Sequence, residues 1–451
     1  MRVRIHRGAR EIGGSNIELE HAGARLLLDL GLPLDGESSD PACHPDIEGL
    51  AGGGSLLGLV LSHGHRDHTG LSHLAGPDLP VALGAATLRI LQAASAFVPD
   101  CHVPANTITL TDRQPLTFGP FTVTPILVDH SAYDAYALLV EAGGQRLLYS
   151  GDLRGHGRKG ALFERLLSNP PRDIDTLLME GSSLGRLDPD RTFPSENEIE
   201  ARFHALFQET AGLALVAASA QNIDRVVSLY RACKRAGRTL VIDLYAAEVL
   251  AATGNPRIPQ SDWPGIAVFV PHHQRVRIKR SGRFDLIERH GRNRIYAEDL
   301  AAMAPRAALL FRHSLLPDLD RAGCLTDARA VWSQWNGYLR QPRGQALAAD
   351  LAALAVPLAH AHTSGHASIP DLRRLADAIS PRWLVPIHTF APEQFPALFG
   401  PSVRIEQDGT WWECAAGSYP FTPSHPSSSR RCSDQACASN RTGLGGSVQR
   451  E

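Results

Sequence analysis

The sequence predicts a layered α/β protein with a second α/β unit, built on a parallel sheet, inserted into it. Three observations predict this. Metal-binding residue types recur just after apolar, strand-like runs in the first 185 residues, the place where layered folds build sites. From about residue 186, strand-like and helical segments alternate, as in a parallel sheet with crossover helices. Beyond residue 357, reactive residues return at strand ends, at His366 and His388. The expected organisation is a first domain part over 1–185, an insert over 186–357, a return over 358–412, and a tail over 413–451. The tail is rich in Ser, Pro, Gly and Arg without periodicity, and reads as disordered.

The elements follow in order. Val3–His6, Asn16–Glu20 and Arg25–Leu30 read as strands, with turns at Gly13-Gly14 and Ala22-Gly23. Leu56–Leu61 is a buried-strand run ending at Ser62-His63, and residues 83–96 have helical periodicity. Phe121–Val128, Gln145–Tyr149 and Asp175–Met179 are strands. Helices are expected at Glu196–Glu209, Asn222–Ala236, Ala246–Ala252, Ala346–Leu354 and Pro370–Ala378. Strands are expected at Leu213–Ala217, Thr239–Leu244, Leu358–His362 and Trp383–Ile387.

Composition narrows the function classes. Of 451 residues, 43% are hydrophobic and 20% charged, ordinary for a soluble globular protein. No apolar run approaches the ~18 residues of a membrane helix, and no signal peptide is expected. Forty-five basic and 47 acidic residues leave a formal charge of −2, against a nonspecific nucleic-acid coat but not against a local patch. The densest basic run is Arg275-Val276-Arg277-Ile278-Lys279-Arg280, continuing through Arg283, Arg289, Arg292 and Arg294 beside His272 and His273. It reads equally as one wall of an RNA channel and as a solvated strand or helix face. Seven scattered cysteines, with no CxxC, argue against a disulfide framework and a cysteine zinc finger. A cytoplasmic setting fits them.

The strongest local signal is Ser62-His63-Gly64-His65-Arg66-Asp67-His68-Thr69-Gly70. In an extended loop His63 and His65 point to one side, where a single ion takes both imidazoles. Asp67 and His68 project differently and suit a second ion. Glycine at position 64 lets the backbone approach the metals. His130, Asp152 and His388 each follow an apolar strand and are candidates for the remaining ligands, Asp152 as a bridging carboxylate.

The string His63-x-His65-x-Asp67-His68, with His130 and Asp152 downstream, resembles the metallo-β-lactamase superfamily. Asp29, in Leu26-Leu27-Leu28-Asp29-Leu30-Gly31, matches its first motif, an aspartate that supports the ligand loop. This likeness covers about 1–185. Glu180 in Leu178-Met179-Glu180-Gly181, His366 in Ser364-Gly365-His366-Ala367-Ser368, and His388 are similar to three further motifs of the β-CASP nuclease branch, closest in texture to its RNase J type and to bacterial relatives of the cleavage-and-polyadenylation endonuclease. The likeness runs from about residue 3 to 410. One departure is Thr389-Phe390, where RNase J proteins commonly carry glycine and glutamate.

The resemblance implies an αββα sandwich with a β-CASP insert, and a ribonuclease. It implies two zinc ions, one held by His63, His65 and His130, the other by Asp67, His68 and His388, with Asp152 bridging. Sites of this composition accept manganese as well. The ions would turn a shared water into hydroxide that attacks phosphorus. His366 would be the general acid, with Glu180 on its other ring nitrogen. Asp67, His366 and Glu180 are thus the catalytic candidates. Ser364, Gly365 and Ser368, and Ser219 and Asn222 at a helix start, are candidate contacts for substrate phosphate. Single-stranded RNA is the expected partner and a membrane is not. Oligomeric state stays open, a homodimer included, as does cleavage from an end or internally. The competing reading is a small-molecule hydrolase of the same fold, such as a thioesterase or lactonase, which needs neither the insert nor the His366–Glu180 pair.

Overall fold

The computed structural model describes residues 1–415. Their strands form three sheets. The first sheet runs, in spatial order, Trp411–Glu413, Arg2–Arg7, Asn16–His21, Ala24–Leu28, Leu56–Val60, Val81–Gly84 and Thr107–Leu110. The second runs Trp383–Ile387, Thr176–Glu180, Gln145–Tyr149, Ala135–Ala142, Phe121–Val128 and Leu116–Phe118. Each sheet is antiparallel on one side and parallel on the other.

The two sheets face one another across one core. Ile5, Ile17, Leu19 and Leu28 of the first meet Phe121, Val123, Leu138 and Val140 of the second. Each fully buried Leu, Ile, Val or Phe contributes roughly 1.5–3 kcal/mol over an exposed one, which fixes the strand register. The outer face of the second sheet is covered by Phe163 and Leu166 of the helix Gly160–Ser168 and by Leu372 and Leu375 of the helix Ile369–Ile379. On the outer face of the first, Leu27, Leu59 and Leu61 pack with Leu91 of the helix Ala85–Ser95. The layers are therefore helix, sheet, sheet, helix. With both faces covered, Thr176–Glu180 and Trp383–Ile387 are buried along their whole length.

The third sheet is parallel throughout, in the order Arg294–Ile295, Ile266–Phe269, Thr239–Asp243, Ala307–Phe311, Ala214–Ala217, Arg329–Trp332 and Leu358–His360. Phe203, Phe207, Val226 and Leu229 cover one face, and Leu300, Leu319, Leu347 and Leu351 the other. Helices on both faces make its strands uniformly apolar rather than alternating.

Some elements differ from expectation. The helical periodicity at 83–96 begins within a strand: Val81–Gly84 pairs with Thr107–Leu110, and the helix starts at Ala85. Ala135–Ala142 was not expected as a strand; its pairing with Phe121–Val128 and Gln145–Tyr149 decides it. The basic run at 275–280 lies on the helix His272–Ser281, which buries Gln274 and Ile278 and exposes Arg275, Lys279 and Arg280. Glu413, placed at the start of the expected tail, closes a strand, and Cys414 is buried with its N–H donating to the Met1 carbonyl. The rest of the tail, with Cys432 and Cys437, lies outside the described residues. The five described cysteines are free thiols. Among the described residues no helix is long and apolar enough to cross a membrane.

Candidate metal centre

The predicted ligands sit where strands of the sandwich end. His63 comes three residues after Leu56–Val60, His130 two after Phe121–Val128, Asp152 three after Gln145–Tyr149, and His388 directly after Trp383–Ile387. Three groupings result, one of which joins Asp152 to Glu180 and His366. His63, His65 and His130 converge as one; Asp67, His68, Asp152 and His388 converge as another. Asp152 is central. Its Oδ2 lies 3.2 Å from His68 Nε2, 3.7 Å from His63 Nε2, and 3.8 Å from both His130 Nε2 and His388 Nε2. His388 Nε2 is also 3.7 Å from Asp67 Oδ2.

The surroundings orient each ring. Asp29, fully buried with φ +57°, accepts from the Ser62 N–H, the Ser62 hydroxyl, the Tyr149 hydroxyl and His68 Nδ1, all within 2.8 Å. That bond to Nδ1 leaves His68 Nε2 facing Asp152. His130 Nδ1 donates to the Gly365 carbonyl at 2.6 Å, and Ser15 Oγ lies 2.8 Å from His388 Nδ1. Gly31 is needed for close approach, since a Cβ there would lie 1.8 Å from the Asp67 carbonyl oxygen. Gly64 does not bring its backbone to the ligands in that way; the nearest atom to a Cβ there is the Thr87 methyl, at 3.2 Å.

Does this cradle fit metal ions? His63 Nε2, His68 Nε2, His388 Nε2 and both Asp152 oxygens are buried and make no hydrogen bond of good geometry. Buried polar atoms left so cost about 1–3 kcal/mol each, and five around one point are hard to explain unless something else satisfies them. Imidazole nitrogens and carboxylate oxygens are donors suited to zinc or manganese. The residues fit. Protonation states agree in part. Burial pushes His63 well down and His65 down to about 4, keeping both lone pairs free. Burial also disfavours charged His68, but Asp152 and Asp29 outweigh it and hold the ring well above its ordinary value.

The return segment brings His366 to this centre. His366 stands 5.4 Å from His130 and 5.6 Å from His388, ring centre to ring centre. Its Nδ1 is 3.3 Å from Glu180 Oε2 and 3.7 Å from Asp152 Oδ2. Burial alone would lower His366; Glu180 and Asp152 outweigh it and raise it to about 9. Glu180 also accepts from the N–H groups of Ser182, Leu153 and Ala367, which holds its position.

The side chains expected to contact phosphate each make a local hydrogen bond. Ser368 is a buried helix cap whose hydroxyl accepts from the Asp371 N–H and donates to its carboxylate. Asn222 caps its helix by accepting from the Arg225 N–H. Ser219 Oγ accepts from the Gln221 N–H, and Ser364 Oγ from the His366 N–H. Short polar side chains at turns meet their own backbone first.

Sequence reasoning missed a second buried cluster beside the first. Arg154, fully buried, reaches Asp224 at 2.6 Å, Asp129 and Glu196 at 3.5 Å, and the Ser364 carbonyl at 2.9 Å. Arg225 donates to both Glu196 oxygens, to Ser333 and to the Thr363 carbonyl. The cluster ties the Asp152 loop, the insert and the backbone before His366 together. Its only sequence trace is the arginine two residues after Asp152, which carries no signal by itself.

Residues 25–221 match the sequence profile described as the beta-lactamase superfamily domain. The fold and the ligand groups agree with that match. Ribonuclease J of Mycobacterium tuberculosis is 28% identical over 292 residues, covering 59% of this chain and 49% of that protein. Ribonuclease J of Mycolicibacterium smegmatis is 23% identical over 413 residues, covering 86% of this chain and 68% of that one. The chain is thus similar to ribonuclease J proteins, and spans about half the length of the Mycobacterium tuberculosis relative. A solved structure from Enterococcus faecalis, titled as a protein of unknown function, shares the fold with a TM-score of 0.74 at 21% identity, covering 91% of this chain and 99% of that one.

Proposed function

We propose that this protein is a metal-dependent ribonuclease that hydrolyses RNA phosphodiester bonds. The observation that carries this reading is the convergence of seven buried or nearly buried ligand side chains with a separate His366–Glu180 pair at the same centre. Likeness to ribonuclease J supplies the substrate class. In this reading His63, His65 and His130 hold one divalent ion, Asp67, His68 and His388 a second, and Asp152 serves both. Bound there, zinc or manganese would supply Lewis-acid activation of water and neutralise charge building on phosphate oxygens.

The chain's own residues do the rest. Asp29, Ser15 and the Gly365 carbonyl aim the imidazoles. His366 touches no Asp67 or His388 ligand atom and is left free to act. With Glu180 on Nδ1, its Nε2 presents a proton to the departing oxygen. Asp67 is a ligand at the edge of the centre, still partly exposed, where substrate enters. Residues 186–357 act as the lobe that roofs the centre, and single-stranded RNA is the form that fits under it. A thioesterase or lactonase would use neither the lobe nor the pair.

The deciding experiment compares end-labelled single-stranded RNA, matched DNA and a thioester, each with zinc or manganese present. Cleavage of RNA with little turnover of the other two is expected. Thioester turnover without RNA cleavage would overturn the reading.

A further inference from the structure

Near the metal centre, but outside it, aromatic rings from both lobes gather around one arginine. The guanidinium of Arg186 lies 4.6 Å from the centre of the Trp335 ring and 5.6 Å from that of Phe390. Tyr338 meets Trp335 edge to face at 5.3 Å. The described residues contain five exposed large hydrophobic side chains, and two of them, Phe390 (56%) and Tyr338 (37%), belong to this group. Such rings left in water together point to something that covers them.

Three links tie the group to the reactive centre. Phe390 is two residues beyond His388. Arg186 is close enough to Glu180 for that carboxylate to act on its charge, and Tyr338 is likewise within reach of Asp67. Among the described residues no carboxylate lies within ion-pair distance of Arg186, so its guanidinium can meet a ligand directly. Trp335 is also held in advance. A Cβ at position 337 would lie 2.2 Å from its ring, so Gly337 is what allows the ring to lie against the chain, and the Trp332 indole donates to the Trp335 carbonyl at 3.3 Å.

We propose that Phe390, Trp335 and Arg186 form a platform on which the nucleobase adjoining the scissile phosphate stacks. Flat π faces with a guanidinium beside them bind a base of any sequence. A basic patch alone would bind only the backbone. The platform thus selects a base-bearing polymer over a bare phosphodiester and sets where the chain lies. The proposal rests on the ribonuclease reading above and names a site beyond it.

The test is a two-by-two comparison. Wild type and Phe390→Ala are each given an RNA oligonucleotide and the same oligonucleotide lacking one base, at the nucleotide adjoining the mapped cut. Loss of one stacked base corresponds to about tenfold in kcat/KM. Either change alone should cost about tenfold, and the two together little more. Phe390→Leu, which keeps the bulk and removes the π face, should behave like Phe390→Ala, whereas Phe390→Trp should cut at the wild-type rate. Full activity of Phe390→Ala on intact RNA, or an equal penalty for the missing base in both proteins, overturns the platform. Failure of wild type to cut any RNA overturns the ribonuclease reading instead, so the two failures are distinct.

Discussion

Asp152 and Arg154 are two residues apart, yet each anchors a buried cluster of charge of opposite character. Around Asp152, its own two oxygens and the Nε2 atoms of His63, His68 and His388 approach one another with no good hydrogen bonds. Around Arg154, every charge has a partner: Asp129, Glu196 and Asp224 face Arg154 and Arg225, and the leftover N–H groups find the Thr363 and Ser364 carbonyls. Buried polar clusters at the same depth thus do different work. A buried cluster that satisfies itself holds the chain together. One that leaves acceptors pointing at a common centre is arranged for something to bind.

The largest expected effect separates the metal centre from the acid beside it. His366→Ala should lower RNA cleavage by about 10²–10⁴-fold while bound metal, measured by elemental analysis, stays unchanged. Unchanged cleavage would remove the general acid. Next, the two clusters should respond to truncation by different amounts. Arg225→Met leaves Glu196 buried without its main partner and should cost about 3–5 kcal/mol of stability in denaturant titrations. His63→Leu in metal-free protein removes an unpartnered polar atom and should cost little or nothing, while lowering bound metal. A large loss in the second, with none in the first, would erase the distinction.

A smaller effect tests how the Asp152 cluster is aimed. Asp29→Asn keeps the shape but weakens the hold on His68 Nδ1, and should lower metal affinity about 10–100-fold, read by competition with a chelator. The smallest effect is in acid. Burial works against charged Glu196, but Arg225 and Arg154 outweigh it and hold it down at about 2, below its ordinary 4.5. The unfolded chain therefore takes up this proton first as pH falls. The stabilisation is full above pH 4.5 and is lost as pH drops towards 2. Glu196→Gln should flatten that part of the stability curve, and an unchanged slope would show that Glu196 does not titrate in this window.

Much of the fold was legible because burial writes itself into local sequence. Phe121–Val128 alternates, and Glu196–Glu209 carries helical spacing with a Ser195 and Glu198 capping box. What failed did so for tertiary reasons. Ala135–Ala142 is buried nearly throughout, so its periodicity is silent and only its two strand neighbours define it. Ser368 and Asn222 read the same on paper as phosphate donors or helix caps, and the caps they make are visible only in the structure.

The ligand types and their place after strands were determined by the sequence itself, since a His-x-His-x-Asp-His string after an apolar run has few other uses. That these side chains converge around Asp152 was decided only when distant strand ends met at one edge of the sandwich. The same holds for Arg154, Arg225 and the Arg186 platform. Their partners lie tens to hundreds of residues away, and pairing over such distances is a property of packing, which no local pattern records.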